Sequence, residues 1–145
     1  FLDNNTTFSS IVSTAWKVNE SIPQHVINKI KEIKGNIFGI EIGVLGLSFK
    51  QGSDDLRNSP SLKLVELLKA AGAIVKIHDP FVKNTSSLDQ VLQNSEIIII
   101  ATNHLEFKNI IKDLNQSKIK IIYDVWAMFK KEDFDSAKYL KLGQG

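Results

Sequence analysis

Gly43-Val-Leu-Gly-Leu-Ser-Phe-Lys-Gln-Gly-Ser-Asp-Asp-Leu-Arg-Asn-Ser-Pro60 is the stretch whose reading decides the fold. The run from Ile40 to Leu47 has the length and composition of a buried strand. A polar loop follows, carrying Lys50, Asp54, Asp55 and Arg57. It closes at Ser59-Pro60, where Ser suits a helix N-cap and Pro suits the first helical position, which needs no N–H. Leu62, Val65, Leu68 and Leu64, Leu67, Ala71 then recur at helical spacing. A strand, a charged loop and a helix N-terminus together suit an anion, because the helix end presents N–H groups and a positive dipole. In open α/β sheets ligands gather at the carboxyl ends of strands, where this loop falls.

Downstream, the same alternation continues. Ala73–His78 reads as a second strand stopped by Asp79-Pro80, and Leu88, Val91 and Leu92 suggest a short helix. Ile97–Ile100 is a third strand, apolar throughout as expected when helices cover both faces. After Thr102-Asn-His104, a helix is expected through Leu105, Phe107, Ile110, Ile111 and Leu114. Lys120–Tyr123 supplies a fourth strand ending at Asp124, and Tyr139–Leu142 a short closing one. Strands alternating with helices predict a doubly wound, mainly parallel α/β sheet.

Upstream, Phe1–Ser10 reads as a polar, irregular tail and Ile11–Val18 as a short helix in which Trp16 is a packing anchor. Ser21-Ile-Pro23 resembles a fresh helix start, with Val26, Ile27, Ile30 and Ile33 on one face and Gly35-Asn36 as the stop. The expected division is therefore a helical segment, 1–35, and an α/β domain, 36–145.

The chain's 145 residues suit one ordinary core, and 43% hydrophobic with 23% charged residues is a globular composition. A net charge of +2 with scattered basic residues gives no case for nucleic acid. Absence of cysteine excludes disulfides, thiolate metal sites and a thiol nucleophile within these residues, and no ligand spacing points to another metal site. No apolar run approaches the roughly 20 residues of a membrane span, so a cytoplasmic protein without a membrane partner is expected. Met128 is the single methionine, so the chain is expected to be part of something longer.

Gly43-x-x-Gly46 is a degenerate form of the dinucleotide fingerprint, but in a true fingerprint the helix opens directly after the glycines. Close packing is the simpler role for Gly43. Lys50, Asp55 and Arg57 are the stronger signal. An Arg fork and a mobile Lys charge both suit phosphate, although carboxylates and cations of one loop can equally pair with each other. Phe49 could stack on a base or join the core. Asp79, Asn103, His104 and Asp124 all fall at expected carboxyl ends of strands, as site residues or as ordinary turn formers. His104 could serve as a base, but a hydrogen-bonding histidine fits the local pattern better.

Several linked segments resemble a known family. Val44-Leu-Gly-Leu-Ser-Phe-Lys50, Asp54-Asp-Leu-Arg-Asn-Ser-Pro60, Ala71-Gly-Ala-x-Val-x-Ile-His-Asp-Pro80 and Ala101-Thr-Asn-His-Leu-Glu-Phe107 are similar to the C-terminal domain of the nucleotide-sugar 6-dehydrogenases. Val18-Asn-Glu-Ser-Ile-Pro23 resembles the end of that family's central helical domain. The resemblance implies a Rossmann-like nucleotide-sugar domain in an NAD-dependent enzyme. Such an enzyme oxidises the sugar C6 alcohol to a carboxylate through a cysteine thioester, and it forms a homodimer. It implies Phe49, Lys50 and Asp55 on a UDP-sugar, and Arg57 toward the phosphates of an NAD held mainly by an N-terminal domain. The catalytic cysteine motif is absent here. Where UDP-glucose enzymes often carry Arg two residues after the aspartate matched by Asp124, this chain has Trp126, a further candidate site residue. The Asp-Asp-Leu-Arg and Thr-x-His forms resemble the UDP-N-acetylhexosamine branch, with UDP-N-acetylmannosamine, UDP-N-acetylglucosamine or UDP-glucose as candidate substrates. The competing expectation is a nucleotide-binding or dimerisation module without catalysis.

Overall fold

Ile97–Ile100, four consecutive and fully buried isoleucines, form the middle strand of a five-stranded sheet. β-branched side chains fit a pleated surface, and a run of them needs cover on both faces. The computed structural model describes the backbone of residues 2–143 and the side chains of residues 10–14, 17 and 20–143. Its elements are α1 (Leu2–Lys34), β1 (Glu41–Leu45), α2 (Pro60–Ala70), β2 (Ile74–His78), α3 (Leu88–Asn94) and β3 (Ile97–Ile100). A 3-10 turn (Leu105–Asn109), α4 (Ile111–Asn115), β4 (Ile121–Asp124), a second 3-10 turn (Lys131–Asp133) and β5 (Lys138–Lys141) follow. The strand order is β2-β1-β3-β4-β5 and every pairing is parallel.

Side chains alternate between two cores, as the period of a strand requires. On one face, Val26, Ile27 and Ile30 of α1 and Leu64, Val65 and Leu68 of α2 pack on Ile42, Val44, Ile97, Ile99 and Tyr123. On the other, Val91 and Leu92 of α3 join Phe107, Ile110 and Leu114 over Leu45, Ile98, Ile100 and Ile122. The chain leaves β1 through α2 to reach β2, then returns through α3 on the opposite face to β3. The connections from β1 and β3 therefore diverge at their carboxyl ends, which opens a crevice there.

Two sequence expectations are corrected. Instead of an irregular tail, a short helix and a new start at Ser21, one helix runs from Leu2 through Pro23 to Lys34. Pro23 costs the helix a single N–H bond. Directly after it, Val26, Ile27 and Ile30 are buried, and α1 packs on α2. The described side chains before Ile22 stand exposed, Ile11 and Val12 among them. The side chain of Trp16 lies outside the described residues. The second correction concerns the helix after His104, which is two pieces. The Phe107 and Ile110 N–H groups reach back only three residues, to His104 O and Phe107 O, before α4 begins. Phe107, Ile110 and Leu114 still reach the core, which is what the apolar spacing encodes. No helix among the described residues is long and apolar enough to cross a membrane.

Candidate functional site

The crevice at the ends of β1 and β3 is built around the loop that follows β1. Ser59 caps α2 by accepting the Ser61 N–H (3.2 Å), and its own hydroxyl donates to Leu47 O (2.7 Å), which ties the two ends of the loop together. Inside it, Phe49 N–H donates to Asp55 O (2.8 Å), and Thr102 Oγ1 donates to Ser48 O (2.9 Å).

Beneath the loop lies a buried polar pair. Asp79, at the end of β2, accepts N–H bonds at Oδ2 from Leu47 (2.7 Å) and Ser48 (3.1 Å), and at Oδ1 from Phe81 (2.8 Å). His104 is fully buried, with Nε2 3.0 Å from Asp79 Oδ2 and 3.1 Å from Ser48 Oγ. Gly52 N–H donates to His104 Nδ1 (3.1 Å). A nitrogen that accepts carries no proton, so the ring proton is on Nε2 and points at Asp79. Burial pushes the Asp79 carboxyl up, but the donors from Leu47, Phe81, His104 and Ser48 outweigh it and hold the group below its ordinary range. Phe81 and Phe107 cover the imidazole, at ring-centre distances of 4.9 and 5.6 Å.

Above the loop, chemistry faces solvent. Phe49 is 50% exposed and Lys50 is exposed. Phe49 lines a groove of about 480 Å³ with Glu20 and Pro23 of α1, Asn58, and Ser59, Pro60 and Lys63 at the start of α2. Arg57, its side chain 86% exposed, forms a bidentate pair with Asp55 through Nε to Oδ1 (3.0 Å) and Nη2 to Oδ2 (2.8 Å). The guanidinium bond holds the Asp55 carboxyl down to about 2. Within the chain, then, Arg57 and Asp55 are each other's partner.

Of the other rim residues, Asp124 is fully buried and works inside the fold. It accepts from the N–H groups of Trp126 (3.1 Å) and Phe129 (3.0 Å) and from the Tyr139 hydroxyl (2.8 Å). Trp126 is half-exposed, and its Nε1 donates to Ala101 O (3.0 Å) at the end of β3, an oxygen that Ser61 Oγ also approaches (3.3 Å). Asn103 is half-buried on the turn beside them. The structure thus brings Asp79 and His104 together under the loop, and sets Phe49 and Lys50 above it. Sequence reasoning missed Glu20, Asn58 and Lys63. Only Lys63 carried a signal, as a cation in the first turn of a helix already read as an anion site.

Gly43 of β1 and Gly46, the residue just after it, are committed to packing. A Cβ on Gly43 would lie 2.5 Å from both Ile98 Cδ1 and Val91 Cγ1, and one on Gly46 would lie 2.4 Å from Thr102 Cβ. With the loop from Leu47 to Asn58 standing between them and α2, these residues do not form a dinucleotide-binding turn. No group of metal-ligating side chains occurs among the described residues.

Residues 43–131 match the UDP binding domain of the UDP-glucose/GDP-mannose dehydrogenase family. A UDP-N-acetyl-D-mannosamine dehydrogenase of Pyrococcus horikoshii is 40% identical over 105 residues, covering 69% of this chain and 25% of that protein. A UDP-glucose 6-dehydrogenase of Rickettsia felis is 33% identical over 75% of this chain and 28% of its own length. The solved structure of UDP-D-ManNAc dehydrogenase from P. horikoshii superposes with a TM-score of 0.78 at 32% identity, over 89% of this chain and 32% of that one. The chain spans about a quarter to a third of the length of these relatives. It belongs to the UDP-glucose/GDP-mannose dehydrogenase family, whose UDP binding domain it carries.

Proposed function

We propose that this chain is the nucleotide-sugar-binding part of an NAD-dependent UDP-sugar 6-dehydrogenase that oxidises the C6 alcohol to a carboxylate. UDP-N-acetylmannosamine is the preferred substrate assignment. The observation that carries the reading is the exposed pair Phe49–Lys50 on a loop anchored to the N-terminus of α2, beside a groove of about 480 Å³ at the strand crossover. Phe49 offers a ring face to the nucleotide or sugar, Lys50 a mobile charge to its phosphates, and Asp55 shapes the loop while pairing with Arg57. Arg57 lies on the open side of that loop, from which it reaches toward the phosphates of an NAD bound outside this chain. NAD supplies the hydride acceptor, and this chain's residues bind and orient the sugar nucleotide. Residues 1–35 are assigned as the end of a central helical domain through which the whole enzyme dimerises. The mannosamine branch is preferred over UDP-glucose because of the 40% identical relative and the Trp126 position.

Titration of the chain with UDP, GDP and UDP-N-acetylmannosamine, followed by amide chemical shifts, tests the reading. UDP should perturb Phe49, Lys50 and the first turn of α2 at millimolar concentration or below. No perturbation there, or a preference for GDP, would overturn it. This chain alone, having no thiol, should produce no NADH from any UDP-sugar.

A further inference from the structure

The residues given the ligand role, Phe49 and Lys50, are held from beneath by a fully buried pair. Leu47 and Ser48 precede them and donate to Asp79 Oδ2, and Gly52 follows them and donates to His104 Nδ1. Asp79 and His104 are joined by Nε2–H to Oδ2 at 3.0 Å, and both side chains are fully buried. The loop is therefore pinned on both flanks of Phe49–Lys50 by one hydrogen-bonded unit that bridges the ends of β2 and β3. A ring with one donor and one acceptor is needed for that bridge. Its donor side meets the carboxylate and its acceptor side meets the loop N–H. Gly52, at φ +71°, has no heavy atom within 4 Å of where a Cβ would stand, so that side of the residue is open. Its N–H is tied to the imidazole, and Ser48 Oγ, 3.1 Å from His104 Nε2, donates to Lys50 O (3.1 Å), so the same ring lies against both flanks of the pair.

We infer that His104, oriented by Asp79, is a positioning residue for the nucleotide site: through its Nδ1 acceptor it sets the Gly52 turn and thereby the placement of Phe49 and Lys50. This rests on the nucleotide-sugar reading above. A change in loop shape alters ligand affinity and the protection of the Gly52 amide, beyond any general loss of stability.

The decisive comparison is between His104→Asn and His104→Gln in this chain. Asn places its amide oxygen where Nδ1 stands and retains an acceptor for Gly52, whereas Gln extends to the Nε2 position and retains the donor to Asp79. With UDP as the probe, His104→Asn should keep the Gly52 amide protected from exchange and bind within about threefold of the parent, the lower edge of one hydrogen bond's effect. His104→Gln should lose Gly52 protection and bind about 3- to 10-fold more weakly, the effect of one hydrogen bond. Both variants keep a polar group in the cavity, and thermal unfolding of each gives the stability reference. Affinity that follows unfolding temperature instead of Gly52 protection would overturn the inference, as would equal UDP binding by both variants. Failure of the parent chain to bind UDP at all would overturn the site reading itself, and is seen before any variant is made.

Discussion

Gly46 and Thr102 meet at the crossover of the sheet so closely that a Cβ on Gly46 would lie 2.4 Å from Thr102 Cβ and 2.6 Å from its backbone N. Gly46 also has φ +94°, in the left-handed region, and its N–H donates to His78 O (2.8 Å). The carboxyl ends of β1, β2 and β3 therefore converge on one residue that has no side chain. That convergence gives the following loop its starting direction.

Gly46→Ala should accordingly destabilise the fold by about 2–4 kcal/mol, combining overpacking against backbone with strain at positive φ. Gly52→Ala shares the positive φ but meets no atom, and should cost only about 1 kcal/mol. Chemical denaturation of both variants measures the contrast. Equal losses would mean that conformation, and not close approach, is what requires Gly46.

Asp55 should titrate near 2, against an ordinary value of 3.8, because the Arg57 guanidinium holds its charged form. A depressed folded-state value means that the pair supports the loop above pH 3.8 and loses its hold as pH falls through 2. Carboxyl carbon shifts recorded against pH would report that midpoint, and Arg57→Ala should return it toward 3.8. A midpoint that stays near 2 without Arg57 would assign the shift to backbone donors instead.

In an enzyme containing this domain, Lys50→Ala should raise KM for the sugar nucleotide by about 10- to 150-fold, the effect of one charge-assisted hydrogen bond. Arg57→Ala should raise KM for NAD more than that for the sugar. The observed Asp55–Arg57 pair gives a sharp alternative, in which Arg57 only braces the loop. Asp55→Ala would then reproduce the Arg57→Ala profile on both substrates. Steady-state kinetics on the three variants separates the two, and matched profiles would remove the cofactor role from Arg57.

The Tyr139 hydroxyl lies 2.8 Å from Asp124 Oδ2 and 2.7 Å from Phe129 O, two acceptors that share its one proton. Tyr139→Phe should cost about 1–3 kcal/mol, since a buried carboxylate loses a donor. Burial first, and then the neighbouring carboxylate, push this phenol well above the ordinary 10.0. A raised value favours the neutral form in the fold, so the contribution is complete below pH 10.0 and is lost as pH rises beyond it. Stability measured from pH 7 to 11 should fall more steeply in the parent chain than in Tyr139→Phe. Parallel curves would contradict the assignment.

Period and punctuation alone were enough to read most of the sheet. Ile97–Ile100 is a strand because four β-branched residues in a row suit little else, and Ser59-Pro60 starts a helix because its chemistry is local. The mainly parallel pairing also followed, since parallel neighbours need a crossover connection and helices alternate with the strands along the chain. The motif residues Phe49, Lys50, Asp55 and Arg57 were legible as a polar loop between two recognisable elements. Local pattern could not tell that Pro23 lies inside a helix, because the packing that outweighs one lost hydrogen bond comes from α2, more than thirty residues away. Nor could it separate His104 and Asp79, buried beneath the loop, from Phe49 and Lys50, exposed above it. All four stand at or just beyond strand ends and look alike in sequence. Their division into support and surface depends on β2 and β3 flanking β1, which brings residues 25 positions apart within 3.0 Å. A hydrogen bond between distant residues leaves no periodic trace in the chain, so only the tertiary structure decided which polar residues hold the site and which present it.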